Sequence, residues 1–144
     1  MTGSQIGQQF LVILEPPLDI YRYIAIYEYM YKLINLLKAV SDSTRFKIVK
    51  ALGKGPFCVC EITEALGLAQ PTISRHLHQL ENAGLVSSRR DGQRIEYMLV
   101  TEKDGNQHAV ELLNLLEKWE EDNMEIKKLR ESLEQISLKI RGQG

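Results

Sequence analysis

The sequence predicts a mainly α-helical protein that carries one small β-hairpin. Three observations predict it. Apolar residues recur at spacings of three and four along most of the chain. The period falls to two only over residues 85–100, where Asp91-Gly92 marks a tight turn. Capping residues, prolines and glycines cluster between the periodic stretches. The 144 residues suit one domain with helical arms, and 44% hydrophobic with 26% charged residues excludes wholesale disorder. No apolar run exceeds five residues, far short of a spanning helix. The first nine residues lack Lys and Arg, unlike a signal peptide. Two cysteines one residue apart cannot staple a secreted scaffold. The expectation is a cytoplasmic protein with no membrane partner.

Residues 1–18 read as an N-terminal tail, because Pro16-Pro17 breaks any helix begun before them. Asp19 then caps a long helix over about 19–39, which holds five of the six tyrosines. Ile20, Tyr23, Tyr27, Met30, Ile34 and Leu37 recur at helical spacing, with Ile24, Tyr31 and Leu36 broadening the stripe. Such a helix must be covered, by core packing or by a second subunit. Ser41-Asp42-Ser43-Thr44 starts the next helix, with Phe46, Val49 and Leu52 as its buried stripe and Ile48 alongside. Gly53 and Gly55-Pro56 end it. A short helix follows over about residues 58–65, closed by Gly67.

Gln70-Pro71 opens another helix, with Pro71 suited to the first helical position. Ile73, Leu77 and Leu80 form its apolar stripe. Arg75, His78 and Asn82 lie roughly opposite, with Thr72, Ser74 and Gln79 at the sides. Residues 85–90 and 94–100 read as two strands, with Ile95, Tyr97 and Leu99 on one face. Residues about 107–140 read as one long helix with Leu112, Leu116 and Trp119 on an apolar face. Its Ile126, Leu129, Leu133, Ile136 and Ile140 form a coiled-coil-like seam.

This order describes a winged helix-turn-helix with long N- and C-terminal helices. Residues 19–106 make the winged domain with its N-terminal dimerisation helix, and 107–144 the C-terminal dimerisation helix. The net charge is −1, but residues 41–100 carry eight basic and six acidic side chains. A polyanion-binding face belongs in that third. Gln70, Thr72, Ser74 and Arg75 can donate to phosphates or base edges, and His78 is a candidate to face DNA. Arg89, Arg90 and Arg94 flank the hairpin turn, suited to the minor groove or the flanking backbone; alone they would read as a solvated tip. His76 flanks the core stripe and reads as structural.

Four segments then carry a resemblance: 40–49 (VSDSTRFKIV), 58–62 (CVCEI), 70–77 (QPTISRHL) and 81–86 (ENAGLV). Over about residues 33–100 the chain resembles the arsenic-repressor family, ArsR/SmtB type. The resemblance implies a homodimeric winged-helix repressor that leaves double-stranded operator DNA on binding a metal or metalloid. It also implies that the outer helices form the dimer. Nothing in it explains the N-terminal tyrosines.

Cys58-Val59-Cys60 falls at a helix start, which favours thiolate, and thiolates select soft ions. The arsenic-sensing members carry Cys-Val-Cys here, with a further cysteine where this chain has Thr63. Cys58 and Cys60 are therefore the candidate metal ligands. No resident cofactor is required, and arsenite or another soft ion is the effector. On a regular helix the two cysteines lie about 200° apart, so one bound ion would unwind the helix start and loosen the recognition helix. A thiol redox sensor, a small organic ligand as signal and inert packing stay open. The family's second metal site is interrupted by Asn106 and Lys118, and His108 reads as solvated beside Asp104. No Gly-rich phosphate loop and no Ser-His-Asp or Cys-His arrangement supports an enzyme.

Overall fold

The computed structural model describes residues 17–104 and 106–142. The expected tail therefore lies outside the described residues as far as position 16. The elements run α1 (Leu18–Val40), α2 (Ser43–Leu52), β1 (Phe57–Cys58), α3 (Val59–Leu66), α4 (Gln70–Asn82), β2 (Val86–Asp91) and β3 (Arg94–Leu99). A 3-10 turn (Glu102–Asp104), α5 (Gln107–Lys118) and α6 (Met124–Arg141) complete them. Contacts divide the chain into two units, one ending at Ile34 and one beginning at Asn35.

The first unit is α1 as far as Ile34. Asp19 lies in its first turn, opposite in sign to the helix-dipole charge there. Its apolar side chains are exposed, Tyr23 and Tyr27 among them, and those two rings stack with centroids 6.4 Å apart. Glu28 and Lys32 pair at 3.0 Å, one helical turn apart.

The second unit contains the hydrophobic core. Ile48, Val49 and Leu52 of α2 meet Ile62 of α3 and Ile73, Leu77 and Leu80 of α4. Asp42 caps α2, its Oδ1 accepting the Arg45 N–H at 2.9 Å. Arg45 in turn closes the end of α1, donating to the carbonyls of Lys38 and Ala39. Gly67 takes a left-handed φ of 66° and turns the chain from α3 into α4. Gly92, at φ 61°, makes the two-residue turn that pairs Asp91 with Arg94.

The sheet has three antiparallel strands in the order β1-β3-β2. The two-residue β1 is an addition to the expected hairpin, pairing Phe57 with Tyr97 and Cys58 with Glu96. It corrects the expected face of β3: Ile95 is exposed, while both Glu96 and Tyr97 are buried. A β-strand alternates its faces, so Glu96 lies opposite Tyr97; it is paired edge to edge with Cys58 of β1, and Arg141 of α6 reaches it at 3.2 Å.

The helix expected over 107–140 is two helices. Lys50, wholly buried, donates from Nζ to the carbonyls of Leu116 at 3.1 Å, Glu117 at 2.8 Å and Trp119 at 2.7 Å. Those carbonyls lie at the helix end, where the intrahelical donors run out, so the ammonium terminates α5. Glu120 follows with φ 58°, and Asn123 caps α6 through bonds from the Glu125 and Ile126 amides. The apolar face of α5 is Ala109, Leu113 and Leu116, and Trp119 is exposed. The seam of α6 is covered by this chain itself: Ile126, Leu129, Leu133 and Ile136 are buried as α6 packs on α2 and α3. Among the described residues no helix is long and apolar enough to cross a membrane.

Candidate nucleic-acid interface and thiol site

α4 divides its side chains by function. Ile73, Leu77 and Leu80 have no exposed surface. Gln70, Arg75 and His78 are exposed, and Thr72 and Ser74 are half-buried at the edges. Among the described residues of the second unit, none buries Gln70, Arg75 or His78, as a face presented to a duplex requires. Two contacts fix how the helix is held. Arg45 donates to Gln79 Oε1 at 2.9 Å, and the buried His76 stands with Nδ1 3.9 Å from Asp42. The Arg45 amide, with the Arg45 and His76 side chains nearby, holds the Asp42 carboxyl below its usual value against the opposing effect of burial.

The hairpin carries Arg89, Arg90 and Arg94, all exposed. Arg90 Nε donates to the Gly92 carbonyl at 3.2 Å across the turn. Arg89 is tied inward as well, with Nη2 3.1 Å and Nε 3.3 Å from Glu96 Oε2. Ser88 on the same strand donates to Glu81 Oε1 at 2.7 Å, joining β2 to the end of α4.

The cysteines meet at the start of α3 as a disulfide, with Cα atoms 5.4 Å apart. The expected separation of about 200° fails for a local reason: Cys58 is not helical. It is the N-cap, at φ −80° and ψ 164°, and its extended backbone turns its side chain toward Cys60 in the first turn. Bridging the sulfurs therefore leaves α3 wound. Glu61, only 1% exposed, accepts the Cys58 N–H through Oε2 at 2.7 Å. That is half of a capping box, with cysteine where Ser or Thr usually stands.

Two buried polar atoms of α3 have no hydrogen bond, Glu61 Oε1 and Thr63 Oγ1. The nearest cation to Glu61 Oε1 is Arg141 Nε at 3.6 Å. Among the described residues no group of three His, Cys, Asp or Glu is arranged to hold a metal ion. The pair thus brings two sulfurs together, and position 63 holds the hydroxyl of a threonine. His108 is half-exposed with Nδ1 3.5 Å from Glu111, so it is paired rather than simply solvated. Sequence reasoning missed Glu61, Glu96 and Arg141. Only Glu61 left a signal, its spacing of three from the cap.

Comparison with known proteins agrees with this arrangement. Residues 42–88 match the family described as bacterial regulatory protein, arsR family. The arsenic resistance transcriptional regulator ArsR1 of Pseudomonas putida is 46% identical over 65 residues, covering 44% of this chain and 51% of that protein. The chain thus spans about half the length of that relative. An uncharacterized HTH-type transcriptional regulator of Methanocaldococcus jannaschii, MJ1325, is 41% identical over 73 residues, 50% of this chain and 82% of its own. In structure the chain is similar to the homodimeric winged helix-turn-helix DNA-binding domain of Mb0332 from Mycobacterium bovis. The TM-score is 0.55 at 28% identity, over 62% of this chain and 79% of that one. With the helix order, the hairpin and a relative matched over most of its length, the chain belongs to the arsR family of bacterial regulatory proteins.

Proposed function

We propose that this chain is a homodimeric transcriptional repressor, bound to double-stranded operator DNA through α4 and the hairpin, and released by a thiophilic metalloid or metal, arsenite or antimonite first. Gln70, Thr72, Ser74, Arg75 and His78 supply base-edge and phosphate contacts, and Arg89, Arg90 and Arg94 supply contacts from the hairpin. The sensing pair is Cys58 and Cys60. The observation that carries the reading is that the two sulfurs meet at the entrance to α3, the helix that precedes α4. In the reduced protein two thiols displace two hydroxides of arsenous acid as water, leaving a dithiolate arsenic that keeps one hydroxide. Sulfur donors suit a soft ion, and the Pseudomonas relative, an arsenic resistance regulator, points the same way.

The test is a titration of the reduced protein with arsenite, cadmium and zinc, counting free thiols while DNA release is followed. Two thiols lost per arsenite, with release, is the expected result. Release that persists in the Cys58→Ser, Cys60→Ser double variant would remove the sensing claim. A second reading is favoured by the closed disulfide: reversible oxidation of the same pair is itself the signal. Release by peroxide, reversed by a dithiol, with no response to arsenite, selects it.

A further inference from the structure

A continuous polar chain runs from the sulfur pair to the hairpin, and its central member is the last residue of α6. Arg141 Nη2 donates to the Pro56 carbonyl at 3.1 Å and to Glu96 Oε1 at 3.2 Å. Its Nε lies 3.6 Å from Glu61 Oε1. Glu61 and Glu96 are both buried, 1% and 6% exposed, and they flank one guanidinium. Each carboxylate has a second task on its far oxygen. Glu61 Oε2 accepts the Cys58 N–H at 2.7 Å, and Glu96 Oε2 accepts two bonds from Arg89.

We propose that Arg141 is a positioning residue that transmits the state of the Cys58–Cys60 pair to Arg89 on the hairpin. The proposal rests on the reading of that pair as the sensor, but on neither particular signal. Arg141 has the geometry for it. A guanidinium is a planar fork whose separate N–H groups can hold two carboxylates and a carbonyl at once in a fixed geometry. Two buried carboxylates repel, and the guanidinium between them offsets that repulsion, so moving it changes the surroundings of both.

The link to Glu61 is the one that can switch. Glu61 Oε1 has no hydrogen bond, and its 3.6 Å ion pair with Arg141 is longer than the contacts that join Cys58 to Glu61, Arg141 to Glu96 and Glu96 to Arg89. Opening the disulfide, or placing an ion between the sulfurs, resets the backbone of Cys58, whose amide holds Glu61. A small shift of Glu61 toward or away from Arg141 then decides how firmly the guanidinium grips Glu96. Arg141 also borders a cavity of about 440 Å³ lined by Phe57, Glu134 and Leu138, which gives it room to move. Glu96 in turn sets whether Arg89 is held back against β3 or released toward a phosphate.

The two states can be imposed without knowing the signal. A dithiol reduces the protein disulfide, supplying two electrons and two protons and closing into its own cyclic disulfide. The full chain is compared in both states by the Nε–H resonance of Arg89 and by affinity for a random-sequence duplex at low salt. In the wild type both readouts differ between states. In Arg141→Gln the difference shrinks roughly fivefold or more, and Arg141→Lys restores part of it. A wing response in Arg141→Gln as large as in the wild type overturns the relay, even where the variant melts earlier, since a purely structural staple would do only that. Absence of any difference at Arg89 in the wild type overturns it too. Arsenite that fails to engage the thiols would remove the metalloid reading and leave the relay standing.

Discussion

Glu96 is the cross-strand partner of Cys58, and on its other side it is the cross-strand partner of Arg89. A buried carboxylate in the middle strand thus stands between Cys58 on β1 and Arg89 on β2. Its two oxygens are divided between Arg141 and Arg89. Replacing it by alanine removes the acceptor of both. Glu96→Ala is expected to lose roughly 1–3 kcal/mol of stability in urea unfolding. Faster amide exchange should be confined to β2 and β3. Unchanged exchange there would mean that Glu96 does not hold the hairpin.

Lys50 makes a second prediction about buried charge. Its ammonium satisfies three carbonyls at the end of α5 and lies 3.3 Å from Glu121, whose carboxyl it holds below the usual value. Lys50→Met keeps the stem and removes the donors. The expected cost is roughly 3 kcal/mol, with fraying of the corner between α5 and α6 in hydrogen exchange. A variant of wild-type stability would show that the carbonyls find water instead.

Much of the fold was legible because it is local. Ile73, Leu77 and Leu80 announce α4 through spacing alone, and Asp91-Gly92 announces the hairpin. What was not legible depends on partners distant in sequence. The end of α5 is set by Lys50, more than sixty residues earlier, so a charged, periodic stretch looked continuous. A strand of two residues has no period, and Glu96 lies between Cys58 of that strand and Arg141 of α6, both distant from it in sequence. The cysteines were placed on a helix that begins one residue later. Cys58 as an N-cap, with Glu61 three residues on, was the available signal.

The side chains proposed to face DNA separate by what they are expected to touch. Arg75→Ala should weaken specific binding by roughly 1–3 kcal/mol and relax sequence preference, as for a base-reading side chain. Arg90→Ala should weaken binding to all duplexes alike and reduce the salt slope by about 1, as for a phosphate contact. Fluorescence anisotropy across a salt series distinguishes them. If neither change alters binding, the interface lies elsewhere.

Asp42 gives the pH prediction. Its carboxyl is held below the usual value, chiefly by the Arg45 amide, so the folded state favours the charged form. That contribution is fully present above the unfolded value, about 3.9, and is lost as pH falls through the lower folded value. Asp42→Asn keeps a capping oxygen but has no charge to lose. The acid limb of its stability curve below about pH 4 should be flatter than that of the wild type. Identical acid limbs would rule out Asp42 as a source of acid sensitivity.

In the proposed dimer either α1 or the C-terminal helices would join the two copies. A charge at Leu133 would split a dimer only if the α6 seam faced a partner, yet Leu133 is 1% exposed within its own chain. Leu133→Asp is therefore expected to unfold the second unit, at a cost above about 4 kcal/mol, and not to yield a folded monomer. α1 behaves oppositely. Tyr27 and Met30 are 66% and 55% exposed in the single chain, and charges there meet no core. Tyr27→Asp with Met30→Lys should leave the circular dichroism of the second unit intact and halve the mass seen by light scattering. A full-mass assembly in that variant would move the dimer contact off α1 and onto the exposed apolar residues of the C-terminal helices, Leu115 and Leu138 among them.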